Sequence, residues 1–230
     1  MTWHAKATGR YLPTSSQAYD NAMESMTIMM NDYGWTKEAC CGVFGNIDHE
    51  GEWNPWRWQS DNVRSVAQSQ SDHDPLSGHG YGLIGWTPSG KYCWDDFTFT
   101  YQRDTYRYFP GYHQQSYPGY GPNFSDRVGN VNDGAAQIKL ICEGMLHHNI
   151  NMYNNRTGCS YDQYIALTDV EDAAYHWLRN AENPANWQSK VAERKASAVA
   201  WYKRLPDTPS GSFPYIILVK KSLDRMQGLW

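Results

Sequence analysis

Apolar positions recur at helical spacing in the first fifty residues. Between Gln17 and Asp32, Ala18, Ala22, Met26, Met29 and Met30 follow one another at steps of one, three or four residues, which places them on one face of a helix. Thr14-Ser15-Ser16 supplies an N-cap and Gly34 a stop. The methionine stripe reads as a core face, not as a cofactor site. Thr36 caps a second pattern, in which Ala39, Cys40, Val43, Phe44 and Ile47 form the apolar side of an amphipathic helix. That helix runs into Gly45-Asn46-Ile47-Asp48-His49-Glu50-Gly51-Glu52-Trp53-Asn54-Pro55, and the segment is expected to end it just after Glu50, with Gly51 as C-cap.

The pattern changes over residues 51–100, where Gly, Pro, Asn, Asp and Trp dominate. Gly80-Tyr81-Gly82-Leu83-Ile84-Gly85-Trp86-Thr87-Pro88 reads as a strand or hairpin. Residues 101–125 are rich in Tyr, Pro and Gly and read as an ordered aromatic loop, either a substrate wall or a docking surface. Helical spacing returns with Asp133 as cap, then Ala135, Ala136, Ile138, Ile141, Cys142 and Met145. It returns again after Asp169, with Ala173, Ala174, Trp177 and Leu178. Asn183-Pro184 opens a last helix that carries Val191, Ala198, Val199, Trp201 and Tyr202. Leu205-Pro206-Asp207-Thr208-Pro209-Ser210-Gly211 reads as a linker, and Phe213 to Val219 as a strand. The organisation expected is therefore one domain over residues 1–205, with a linker and C-terminal arm over 206–230.

Charge and cysteine content exclude several classes. The net charge of -4 comes from interspersed signs with no basic run, so a nucleic-acid partner is not expected. The Cys total of 5 is odd, with no CxxC pair, so the thiols are expected to be mostly reduced and buried, not a disulfide framework or zinc site. The His73–His79 and Cys142–His147–His148 groupings fit no strong ligand spacing. No metal and no cofactor are expected. Met1-Thr2-Trp3-His4-Ala5-Lys6 lacks the apolar core of a signal peptide, and no apolar run suits a stable membrane insertion. The aromatic share of 15%, with 11 Trp and 17 Tyr, suits either a Trp-rich core or stacking against sugars.

Glu50 carries the chemistry. A carboxyl at a helix C-terminus meets the negative end of the macrodipole, which disfavours its charge. Neighbouring indoles that exclude water act the same way. Both effects suit a general acid working near neutral pH.

Two motifs give that acid a context: Gly45-Asn46-x-x-x-Glu50-x-x-x-Asn54-Pro55, and Gly82-Leu83-x-x-x-x-Pro88 some thirty residues on. The pair resembles the Glu-Ser-x-x-Asn-Pro and Gly-Leu-Met-Gln-x-x-Pro motifs of lytic transglycosylases and goose-type lysozymes. It is more similar to the lysozyme domain of bacteriophage tail proteins, whose Gly-Tyr-Gly-Leu-x-x-Trp-Thr segment is matched by Tyr81, Gly82, Leu83, Trp86 and Thr87. The resemblance spans roughly residues 15–205. It implies a mainly helical α+β fold, a lysozyme-like helical domain with a small β-hairpin lining a glycan cleft. It implies cleavage of peptidoglycan glycan strands between N-acetylmuramic acid and N-acetylglucosamine, in a virion tail component made in the host cytoplasm and acting on the bacterial cell wall. Other tail proteins would be its assembly partners. Glu50 takes the catalytic acid position, with Asn46 one turn earlier to hold its carboxyl, and Tyr81, Trp86, Thr87 and Trp53 toward the saccharide. Gly51 departs from the serine of the transglycosylases and Gly85 from their glutamine.

A hydrolase of this type also uses a second carboxylate. Asp72 and Asp74 are the first candidates, Asp61 the next; without one, the sugar's own hydroxyl would attack and leave an anhydro product. The alternatives to a tail-associated muramidase are a free endolysin, a lytic transglycosylase, and a non-catalytic tail structural or glycan-binding protein. A zinc peptidase is the remote one.

Overall fold

The computed structural model describes residues 3–6, 9–55, 57, 82–85, 98–101, 104–107, 133–144 and 153–209. They are mainly helical: α1 (Ser16–Thr27), α2 (Lys37–Ile47), α3 (Asp133–Gly144), α4 (Tyr161–Ile165), α5 (Val170–Trp177) and α6 (Trp187–Arg204). The strands β1 (Thr98–Tyr101) and β2 (Asp104–Arg107) form an antiparallel pair. They fall at the start of the stretch read from sequence as an aromatic loop. Of the hairpin expected at Gly80–Pro88, residues 82–85 are described, and they form a turn closed by Gly85 N–H donating to Gly82 O at 3.2 Å.

The helix starts follow from their caps. Ser15 accepts from Ala18 N–H, Thr36 from Ala39 N–H, and Asp169 from the N–H groups of Glu171 and Asp172. Each satisfies donors that a helix start leaves without intrahelical partners. The short helix α4 was not anticipated, although Ser160-x-x-Gln163 is a capping box, present with both reciprocal bonds. Two helices end in π-helical turns, Ile28–Asp32 after α1 and Leu178–Glu182 after α5. Asn183 stops the second in the left-handed region (φ 45°), its N–H donating to Leu178 O at 2.7 Å. The last helix therefore starts at Trp187, not at Asn183-Pro184.

The second helix departs most from expectation. All of α2 except Glu38 is buried, so it is a central helix wrapped by others, not an amphipathic one. Its sequence permits this because Gly42 and Gly45 remove side chains where neighbours cross. A Cβ on Gly42 would lie 2.6 Å from the Ala173 methyl of α5, and one on Gly45 2.6 Å from the Arg194 carbonyl oxygen of α6. Asn46 then donates across the same crossing to Ala174 O at 3.2 Å. Even Lys37 is covered; its ammonium donates to Leu205 O at 2.8 Å and pairs with Asp207 at 3.0 Å.

Around α2 the core is aromatic. Phe44 packs edge-on against Trp53 at 5.1 Å between ring centroids, and Trp53 against Trp201 at 4.9 Å. Each fully buried ring of this size contributes roughly 1.5–3 kcal/mol. Cys40, Cys41, Cys142 and Cys159 are free thiols within this interior, as expected for those four. Among the described residues, no helix is long and apolar enough to cross a membrane.

Gly45→Ala would drive a methyl into the Arg194 carbonyl and the Ala198 amide, backbone atoms that cannot rotate aside. The expected outcome is a loss of about 1–3 kcal/mol, read as a lowered midpoint in urea unfolding. Ala198→Gly in the same chain, which clears one of the clashing groups, should restore only a small part.

Candidate active site

Glu50 does not end a helix; it lies in the turn that follows. The last α2 residue is Ile47, and the Glu50 N–H donates back to Ile47 O at 3.1 Å. The next two non-glycine residues take the left-handed region, Glu52 at φ 47° and Trp53 at φ 61°. A bulky residue there stores strain that its surroundings must hold. Trp53 Nε1–H donates to Asp48 at 2.6 Å, and Asn21 Nδ2 donates to the Trp53 carbonyl at 2.8 Å. Glu52 pairs with Arg10 at 3.0 Å and Arg57 at 3.2 Å. It is thus a brace of the loop.

Gly51 is not a left-handed C-cap. It is small because a Cβ would run into the Gly82 carbonyl and Leu83 Cα. Its N–H donates to Leu83 O at 2.9 Å, and Gly82 N–H donates to Arg57 O at 2.8 Å. Gln137 of α3 completes the lock, accepting from Leu83 N–H at 2.8 Å and donating to Pro55 O. The 82–85 turn is thereby fastened to the Glu50 loop, as the pairing of the two motifs had suggested. Gly85, at φ 59°, lies over the acid; a Cβ there would stand 3.3 Å from Glu50 Oε2.

Glu50 is 31% exposed, and two buried groups from the far end of the chain face it. Arg194 of α6, 1% exposed, donates to Glu50 Oε1 at 2.8 Å and stands 3.8 Å from Glu182 Oε2. Glu182 is the last residue of the π-helical turn and is 9% exposed. Its oxygens accept from no N–H or O–H donor among the described residues. The acid beside it is Glu50, whose charge acts on Glu182, and Arg194 reaches both carboxyls.

Burial pushes the Glu50 carboxyl up to about 7, held from rising further by the bond to Glu182 and the charges of Lys190 and Arg57. Burial pushes Glu182 well above the carboxylate range, and the Glu50 charge adds to this. Arg194 is brought down to about 10, again by burial, and stays protonated at neutral pH.

The indoles take another role. Trp53 and Trp201 both donate to Asp48, at 2.6 and 2.9 Å, rather than walling Glu50. Burial raises Asp48 to about 6 against these two bonds. Trp53 is fully buried in the core, and so is Asn46. Asn46 Nδ2 donates to Gly42 O and Ala174 O, not to Glu50, and its Oδ1 has no partner among the described residues. Holding the Glu50 carboxyl falls to Arg194 instead. Tyr81, Trp86, Thr87, Asp61, Asp72 and Asp74 lie outside the described residues.

Sequence reasoning missed Glu182 and Arg194. The one available signal was Glu182-Asn183-Pro184, an acid placed where a helix must break.

A partly exposed carboxyl, braced by a buried arginine with a second acid behind it, can give a proton to a group arriving from solvent. Residues 20–205 match the phage tail lysozyme family, and the chain belongs to it. The chain is also 26% identical over 174 residues to Morphogenesis protein 1 of Bacillus phage B103. That alignment covers 75% of this chain and 36% of the relative, so the chain matches about a third of that protein's length.

The raised acids set a stability trend. Asp48 and Glu50 bind protons more tightly folded than unfolded, so folding favours their neutral forms. Their contribution is full below their ordinary values near 4 and is lost as pH rises through about 6 for Asp48 and about 7 for Glu50. Urea unfolding should therefore show higher stability at pH 5 than at pH 8, by on the order of 2 kcal/mol.

Proposed function

We propose that this chain cleaves the β-1,4 glycan of peptidoglycan between N-acetylmuramic acid and N-acetylglucosamine, with Glu50 as general acid. It does so as a tail-associated lysin that opens the cell wall locally during phage entry. The observation that carries the reading is Glu50 itself. It is the exposed member of a buried charge cluster, its carboxyl sits at about 7, and it lies within the segment matched to the lysozyme family.

In this mechanism protonated Glu50 gives its proton to the glycosidic oxygen as the bond lengthens and positive charge develops on the sugar. Arg194 then stabilises the carboxylate that remains, at 2.8 Å and without rearrangement. Glycine at position 85 keeps a side chain off Oε2, since a Cβ there would stand 3.3 Å from it. Peptidoglycan strands are the substrate and other tail proteins the assembly partners in this reading.

One observation favours a second outcome. Acid and nucleophile in retaining glycosidases stand roughly 5–5.5 Å apart, and acid and base in inverting ones roughly 6.5–9.5 Å. Glu182 stands against the same arginine as Glu50, on the buried side of it. It cannot act as the facing carboxylate. If Asp72, Asp74 and Asp61 do not supply one, the sugar's own hydroxyl attacks and the product is an anhydro sugar.

Purified protein should clear suspended peptidoglycan, and Glu50→Gln should lower the rate by about 100-fold or more. Equal clearing by the variant would sink the assignment of Glu50. Mass spectrometry of the fragments separates the two outcomes: reducing muramic acid for hydrolysis, anhydro ends for intramolecular transfer. A reducing glucosamine end would overturn the choice of bond.

A further inference from the structure

The two acids and one arginine do not balance in charge. Glu50, Glu182 and Arg194 together would carry one net negative charge if both acids ionised. Arg194 reaches both, at 2.8 and 3.8 Å, and can neutralise one. An uncompensated charge in a buried site is far costlier than a retained proton. Other groups do not supply the missing charge. Lys190 acts on the pair from α6, but Glu193 on the same helix opposes it. Arg57 is engaged with the Glu50 carbonyl and with Glu52. Asp48 has its own two indole donors. The Trp177 indole N–H eases the Glu182 charge without reaching a hydrogen bond.

The backbone is shaped for this arrangement. The π-helical turn adds a residue to the last circuit of α5, and Asn183 closes it in the left-handed region. Such turns recur where a side chain must be re-aimed, often at functional sites. Here the turn delivers Glu182 to the buried side of Glu50.

We propose that Glu182 is a positioning residue for the acid, which holds one proton jointly with Glu50 so that the cluster keeps a proton to deliver. This rests on Glu50 being the general acid. The proton passes from the Glu182 carboxyl to Glu50, the two acids gathered by Arg194, and from Glu50 to the glycosidic oxygen. Glu182 is then the carboxylate beside Arg194, Glu50 is ionised as well, and a solvent proton entering through the exposed Glu50 restores the pair. No electron transfer is involved. The device keeps the acid form available at a pH where a lone glutamate beside an arginine would be ionised.

The test is a carboxyl ¹³C NMR titration of the free protein, with resonances assigned through Glu50→Gln and Glu182→Gln. In the wild type both resonances should shift in two shared steps, as coupled groups do. In Glu182→Gln, Glu50 should titrate in a single step below the upper of the two shared steps, because no second carboxylate then competes for Arg194. The alkaline limb of the clearing activity should move down by at least about one pH unit, while Glu182→Asp retains part of the wild-type profile. Independent single-step titrations in the wild type would overturn the proposal, as would an unmoved alkaline limb in a folded Glu182→Gln. Should that variant not fold, the wild-type titration decides. The titration needs no turnover, so a failure of Glu50 as general acid, seen as clearing by Glu50→Gln, stays distinguishable from failure of the shared proton.

Discussion

The close approach of α5 and α6 to α2 governs the rest of the molecule. Gly42 and Gly45 admit the Ala173 methyl and the Arg194 carbonyl to distances that any side chain would forbid. That contact surrounds α2 and leaves it almost no solvent face. It also fixes where α6 can present its residues. With the Arg194 backbone resting on Gly45, the guanidinium reaches the turn five residues further along, where Glu50 lies. The packing of three helices and the position of the Glu50–Arg194 charge pair are one fact.

Electrostatic cost follows from that packing. A buried ion pair is weak evidence for stability, because desolvation offsets much of its Coulomb gain. Here two acids raised by burial lie against one arginine lowered by it. Such a cluster lowers stability at neutral pH, so its presence argues for use rather than for holding the fold. Backbone strain at Glu52 and Trp53 points the same way, since it falls directly after Glu50. The arginines that pair with Glu52, the indoles on Asp48 and the Asn21 amide hold that loop in place.

Local signals were legible in the sequence and long-range ones were not. Ser15, Thr36 and Asp169 announced their helices because capping acts over three residues. Glu50 was legible for a similar reason, as an acid in a helix-breaking segment beside a second motif. What the periodicity of α2 concealed was that its polar-looking side, Gly42, Gly45 and Asn46, is a helix-crossing surface. Small residues and a single amide read as solvent-facing until a partner helix is in view. Arg194 and Glu182 were invisible for a stronger reason. Each is a charged residue on a late element, the type most often exposed. Only the fold brings them to a residue more than a hundred positions earlier.

The division of roles between the two motifs now has a physical form. Asn46, Trp53 and Asn54 of the first are fully buried and build the loop that carries Glu50. Asn54 does this by bonding the chain start, donating to Lys6 O at 2.9 Å and accepting from Lys6 N–H at 3.2 Å. None of the three offers a surface to a sugar. The second motif is joined to that loop by two backbone hydrogen bonds, from Gly51 N–H to Leu83 O and from Gly82 N–H to Arg57 O, and through the Gln137 side chain that accepts from Leu83 N–H. Gly85 of the 82–85 turn lies beside the acid, where a Cβ would stand 3.3 Å from Glu50 Oε2. The two carboxyls and the arginine are thus brought together by the loop after α2, the π-helical turn after α5, and α6. The second motif is tethered to them through a four-residue turn that begins and ends in glycine.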